Sequence, residues 1–191
     1  MDESQFFQTI KSGDRTSIEA AADEIWSYRD QYGRNALMVA AMYGRSDLVE
    51  FFAMKYDNLD SRDVEGATAI MWAVRNNHID AAKKLIDLKC SIDVQDCSGN
   101  TPLFWAIIFG YTDMARLLIS SGSDINAKNA EGDTPAILAA KYGRTECLKM
   151  LIEAGCDLSA KNHGGQNVWK AAETFGRKEI LDLLISSAKR A

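Results

Sequence analysis

Histidine is scarce in this chain: His78 and His163 are the two side chains suited to act as bases near neutral pH, and they sit in unrelated sequence contexts. No GxSxG, HExxH, glycine-rich phosphate loop or DFG-like set is present, and catalysis needs a nucleophile, base or metal site that converges. Neither a catalytic residue nor a cofactor is therefore expected. Cys90, Cys97, Cys147 and Cys156 lie 7, 50 and 9 residues apart, which matches no CxxC or zinc-ligand spacing. With no N-x-S/T acceptor either, the expectation is reduced thiols without metal, in the cytoplasm or the nucleus. Basic charge is short as well: 22 Lys and Arg stand against 27 Asp and Glu, and no basic run exceeds two residues. Counterion release has no patch to act through, which argues against nucleic acid as a partner. The start, MDESQFFQTIKSGDR, is acidic, and no apolar run approaches bilayer length. Neither an ordinary signal peptide nor membrane insertion is expected.

Hydrophobic residues make up 47% of the 191 positions and charged residues 26%, enough for one globular domain with a sizeable core. Residues 99–110, GNTPLFWAIIFG, open like a helix: Thr101 can cap and Pro102 suits a first helical position. The run that follows is apolar on nearly every side. A helix resting on one core needs only a stripe, so this one is either enclosed or bound by something.

A period of 33 residues runs through the chain. Gly33, Gly66, Gly99, Gly132 and Gly165 mark it, each preceded three positions earlier by Asp30, Asp63, Asp96, Asn129 or Asn162. Asx-x-x-Gly is turn chemistry, since the Asx side chain can bond nearby backbone and glycine accepts a positive φ. Eleven residues later come Gly44, Asn77, Gly110, Gly143 and Gly176, the residue types that close a helix in the left-handed region. Between the markers the spacing predicts a short helix capped by Asn35, Thr68, Thr101, Thr134 or Asn167. Ala40, Ala73, Ala106, Ala139 and Ala172 recur at one phase inside it, which implies close approach of neighbours. A second helix is expected at 47–52, 80–86, 113–119, 146–152 and 179–185, where apolar residues recur at helical spacing. Ile92, Ile125 and Leu158 are expected in short extended segments that lead to the next turn.

These units resemble the ankyrin repeats, a family whose pattern D-x-x-G-x-T-P-L-H-x-A-A-x-x-G is carried by DCSGNTPLFWAIIFG (96–110) and NAEGDTPAILAAKYG (129–143). Weaker copies stand at 30–44, 63–77 and 162–176. The resemblance implies an all-α helix-turn-helix solenoid with β-turn or hairpin connections. Its expected organisation is one continuous domain: a degenerate capping unit at 1–29 without its turn, repeats at 30–62, 63–95, 96–128 and 129–161, and a C-terminal cap at 162–191. Lys170, Glu173, Lys178, Asp182 and Lys189 supply the polar end face. Met38, Met71, Phe104, Ile137 and Lys170 replace the histidine of TPLH, a departure that bears on local rigidity more than on the fold.

By repeat phase, Leu103, Trp105, Ala106 and Ile107 are expected in the core, with Trp72 at the phase of Trp105. Ile108 and Phe109 fall on the exposed side of the first helix, the side that touches partners in the resembled family. Their counterparts are Met42 and Tyr43, Arg75 and Asn76, Lys141 and Tyr142, and Thr174 and Phe175. One column is thus largely aromatic, and it reads either as rings packed over the adjacent turn or as a recognition strip. The turn tips Gln31, Tyr32, Arg34, Val64, Glu65, Ser98, Asn100, Glu131 and Asp133 would flank such a strip, with carboxylates such as Asp113, Glu131 and Asp133 solvated. The resemblance implies a protein-interaction module whose partner is another protein; the acidic tips favour a partner with basic groups near an apolar anchor, and a monomer is expected. Two other readings remain open at this point: a regulatory or docking part of a larger signalling enzyme such as a protein kinase, and a structural spacer.

Overall fold

The computed structural model describes residues 1–20 and 26–189, and these residues form helices joined by turns, with no strand among them. The expected N-terminal unit lies partly outside this set, at 21–25. The chain divides into two compact units, residues 1–97 and 98–191.

The first unit holds α1 (Glu3–Ser12), α2 (Arg15–Glu19), α3 (Ala36–Met42), α4 (Ser46–Ala53), α5 (Ala69–Arg75) and α6 (Ile79–Asp87). Within it α3 packs between α1 and α5, and α4 packs on both α3 and α6. The second unit holds α7 (Pro102–Phe109), α8 (Thr112–Ser120), α9 (Pro135–Tyr142), α10 (Thr145–Glu153), α11 (Val168–Thr174) and α12 (Lys178–Ala188). There α9 packs between α7 and α11, and α10 between α8 and α12. In each unit the first helices form one layer and the second helices the other, and from α3 onward the second helix of each pair is the longer. All five phased alanines are fully buried, which lets the helices of the first layer approach closely.

The turns fold as their residue types require. Asp30 Oδ1 accepts the amides of Tyr32 and Arg34 at 2.9 and 3.0 Å. Asp63 and Asn129 bind the equivalent amides in the same way. Gly99 closes its turn at φ +74°, and a Cβ there would come within 2.7 Å of the Ala130 backbone nitrogen, so a side chain is excluded twice over. Successive turns are joined by one backbone bond each. Val64 N–H donates to the Tyr32 carbonyl at 3.1 Å and Cys97 N–H to Glu65 at 2.9 Å in the first unit. In the second, Ala130 donates to Ser98 and His163 to Glu131, both at 3.0 Å.

A second ladder uses the arginine that follows three of the five helix-closing positions. Arg45 donates through Nε and Nη2 to the Lys11 carbonyl, Arg144 to the carbonyls of Ile107 and Ile108, and Arg177 twice to Lys141. Each guanidinium thereby bonds carbonyls at the end of the neighbouring first helix, where the last turn lacks the following amides that would satisfy them in full.

Three expectations are corrected. Ile92, Ile125 and Leu158 lie in tight turns, not extended segments, because Asx side chains close these loops: Asp124 Oδ1 accepts Asn126 N–H and Asp157 Oδ1 accepts Ser159 N–H. Trp72 and Trp105 are half-buried and outside the core, where a ring too large for the closely spaced first layer can lie over its turn. Asn100 and Asp133 are buried. At the histidine phase, Met38, Met71, Phe104 and Ile137 are buried in the core while Lys170 is exposed. Packing takes over there from polar ties, and the Thr68 and Thr101 hydroxyls three residues earlier have no hydrogen-bond partner.

Candidate functional site

In the first unit the surface next to α3 and α5 is built from interleaved rings and guanidiniums. The Arg34 guanidinium lies 4.7 Å from the centre of the Tyr32 ring and 5.0 Å from that of Trp72, and Arg75 lies 4.7 Å from the same Trp72 ring. Carboxylates hold the cations in place: Asp30 pairs with Arg34 at 2.6 Å and Glu65 with Arg75 at 2.8 Å. Asp63 Oδ2 accepts Trp72 Nε1–H at 2.9 Å and so orients the indole. The Met42 sulfur lies 2.9 Å from Arg34 Nη1. Burial alone would raise the Asp30 carboxyl, but the hydrogen bonds from the Arg34 side chain and from the Arg34 and Tyr32 amides outweigh it and hold it below its ordinary 3.8. Tyr43, at the end of α3, is exposed, with the Lys11 ammonium 5.7 Å from its ring centre.

In the second unit the aromatic column is open. Phe109, Tyr142 and Phe175 are 41%, 45% and 48% exposed, and they stand at the same phase at the C-terminal ends of α7, α9 and α11. Phe109 also packs locally, stacked on Trp105 at 5.7 Å between centroids and tilted against Tyr111 at 5.5 Å. Ile108 is half-buried, with its carbonyl taken by Arg144. The buried Asp133 carboxylate is bridged by Lys141 and by Asn162 Nδ2 at 2.7 Å, which explains why it can leave solvent. Glu131 stays exposed at its tip. Asn100 Oδ1 accepts from Asn129 Nδ2 at 3.3 Å, so it braces adjoining turns instead of facing outward.

These surfaces sit on paired helices at a 33-residue period, and a model for ankyrin repeats (three copies) matches residues 37–129 and 121–190. The chain belongs to the ankyrin repeat family. A curated ankyrin repeat protein of Thermoplasma acidophilum is 69% identical over 66 residues, a stretch that is 35% of this chain and 32% of that protein. The match therefore spans about a third of the relative's length.

Ankyrin repeats present side chains for binding, and the chemistry available here fits that use. Among the described residues no group of three or more His, Cys, Asp or Glu could hold a metal ion, and no helix is long and apolar enough to cross a membrane. Burial raises the Cys90 thiol to about 12 and the Cys156 thiol to about 11, with Asp60 and Asp157 adding to the effect. Cys147 is also raised by burial. None of these three is poised as a nucleophile.

Tyr32, Arg34, Trp72, Arg75 and Glu65 come together as one patch, and repeat phase by itself did not reveal the indole at its centre. The signal was present, because Trp72 lies three residues before Arg75 on α5, within side-chain reach on one helix face.

Proposed function

We propose that this ankyrin repeat protein binds another protein through the exposed side of its first helices and the adjoining turn tips. The observation that carries the reading is the column of Phe109, Tyr142 and Phe175, each close to half exposed on successive helices of the second unit. Large rings left open at a fixed phase contribute little to folding and much to association, since aromatic anchors dominate binding hot spots. In the first unit, Tyr32, Arg34, Met42, Tyr43, Glu65 and Arg75 offer a second contact surface, on which the rings and paired charges are already held in position. The partner matches this with an apolar anchor. Glu131, the exposed carboxylate of its turn, favours a basic group beside that anchor, whereas Asp133 and Asn100 serve the turns themselves. No chemistry is assigned to the chain.

The test is affinity capture from lysate by the unaltered chain beside a Tyr142→Ala, Phe175→Ala variant. Truncating central anchors typically costs ~2 kcal/mol or more each in affinity, so the specifically retained proteins should be lost. Exposed substitutions change stability by about 0.5 kcal/mol each, so the denaturation midpoint should barely move. Unchanged retention, or a midpoint lowered by ~3 kcal/mol as for a buried ring, would show the column to be packing.

A further inference from the structure

In three of the five repeats the residue that follows the turn glycine is tied to the residue eight places on, in the last turn of the first helix. Asp133 accepts from the Lys141 ammonium, Gln166 Nε2 donates to Thr174 Oγ1 at 3.4 Å, and Arg34 Nη1 points at the Met42 sulfur, 2.9 Å away. Two of these ties end on oxygen, and the third ends on a thioether, a weak acceptor. The sulfur is poorly matched to its donor. Asp30 clamps Arg34 through Nε and Nη2, the Tyr32 and Trp72 ring centres lie 4.7 and 5.0 Å away, and the arginine side chain is 11% exposed. Little water reaches that guanidinium edge to make up for the weak acceptor. Arg29, Arg45, Arg75, Arg144 and Arg177 each donate to oxygen instead.

The seven methionines differ in what can reach them. Met38, Met71, Met114 and Met150 are buried, whereas Met1 and Met54 are 49% and 76% exposed. Met42 is half-buried at the end of α3, so a small oxidant can reach its side chain in the folded chain. There a fixed donor already faces the atom that would be oxidised.

We propose that Met42 is an oxidation site whose sulfoxide is held by Arg34. The oxidant is a hydroperoxide, hydrogen peroxide in the simplest case. A sulfur lone pair attacks one peroxide oxygen, the O–O bond breaks, and the leaving hydroxide takes the proton of the new S–OH group. The products are methionine sulfoxide and water, with two electrons passed from sulfur to the peroxide. The sulfoxide oxygen then accepts from Arg34 Nη1, and the tie of the first repeat ends on oxygen like the other two. A sulfoxide ordinarily disrupts packing because it brings a polar oxygen among apolar groups, but this one meets a donor. An N–H···O bond is itself ~2.9 Å long, so the guanidinium withdraws by about 1 Å and its fit against the Tyr32 and Trp72 rings changes. This chemistry stands without any partner; only a resulting change in partner affinity would rest on the proposed binding role.

The test treats the full chain with the lowest dose of hydrogen peroxide that oxidises Met54 completely. Peptide mass spectrometry should find Met42 converted with Met54, and Met71 and Met114 still reduced. In the ¹H–¹⁵N spectrum the Arg34 Nε–H and Trp72 Nε1–H signals should shift on oxidation, stay in place in treated Met42→Leu, and return when methionine sulfoxide reductases act with a thiol reductant. Oxidation should leave the denaturation midpoint of the unaltered protein in place and lower that of Arg34→Leu, where the sulfoxide has lost its donor. Met42 left reduced beside a fully oxidised Met54 overturns the inference. So does an oxidised Met42 with both signals unmoved, the same shifts in Met42→Leu, or an equal loss of midpoint with and without Arg34. Should Arg34→Leu fail to fold, the spectra of the unaltered protein and Met42→Leu decide.

Discussion

Two kinds of buried side chain show how much this fold tolerates at a single position. The Thr101 hydroxyl is enclosed without a hydrogen-bond partner, although Thr101 occupies the N-cap of α7 with an extended backbone at φ −84° and ψ 170°. A cap hydroxyl normally stabilises by accepting an amide, but this one makes no such bond. Thr101→Val keeps the β-branched shape and removes an unsatisfied polar atom, so it should stabilise by ~1 kcal/mol in denaturant melts. A loss of similar size would mean that the hydroxyl caps the helix in solution. The cysteines separate by the same logic of burial. Cys97 is exposed on the third turn, whereas Cys90 and Cys147 are buried and their thiols pushed up. At pH 8 a maleimide should label Cys97 within minutes in the native protein and reach Cys90 and Cys147 only on unfolding. Mass spectrometry of the labelled peptides checks this, and rapid native labelling of Cys90 would place it outside the core.

Elements were legible in proportion to how local their causes are. Asx-x-x-Gly, a cap and a closing glycine act within a dozen residues, so turns and first helices could be placed from spacing, and the second helices exceed their expected spans by one residue at each end, α12 alone by three at its C-terminal end. Contacts between successive helix pairs were not legible in the same way. Nothing local says that Arg144 reaches back to the carbonyls of α7, or that Asp133 is buried by Lys141 and Asn162. Its acidic type and its turn position suggested solvent, and burial followed from partners 8 and 29 residues away. The first turn carries a consequence for pH. Asp30 titrates below its ordinary value because the Arg34 and Tyr32 hydrogen bonds outweigh burial. A depressed folded value means that its stabilising contribution is full above the unfolded value near ~3.9 and is lost as pH falls through the lower folded value. Acid titration followed at the Arg34 and Tyr32 amides should show the first turn loosening below about pH 4, and Asp30→Asn should flatten that response. Identical acid profiles for the two proteins would remove Asp30 from the account.

At the scale of the molecule, repetition makes the family plain and the partner obscure. Five in-register copies of one pattern establish how the chain folds, but that pattern is the part that packing demands, and the exposed positions between its anchors are free to vary. Stability has the complementary property of being spread over many equivalent contacts, because each unit of a stacked array touches only its neighbours. Ala139 lies in α9, which packs against α7, α10 and α11 at once, and its side chain is fully buried. Ala139→Glu would place a carboxylate in the fully buried core, where Lys141 on the same helix is already paired with Asp133. An uncompensated buried charge of this kind costs about 3–5 kcal/mol, a large part of what a domain has in total. Chemical denaturation should therefore find the variant destabilised by that amount. The same substitution at the exposed Tyr142, three residues along the same helix, should cost less than ~1 kcal/mol. Comparable midpoints for Ala139→Glu and Tyr142→Glu would mean that the two faces of α9 are not divided between core and docking surface, and the binding column would lose its structural basis along with the register.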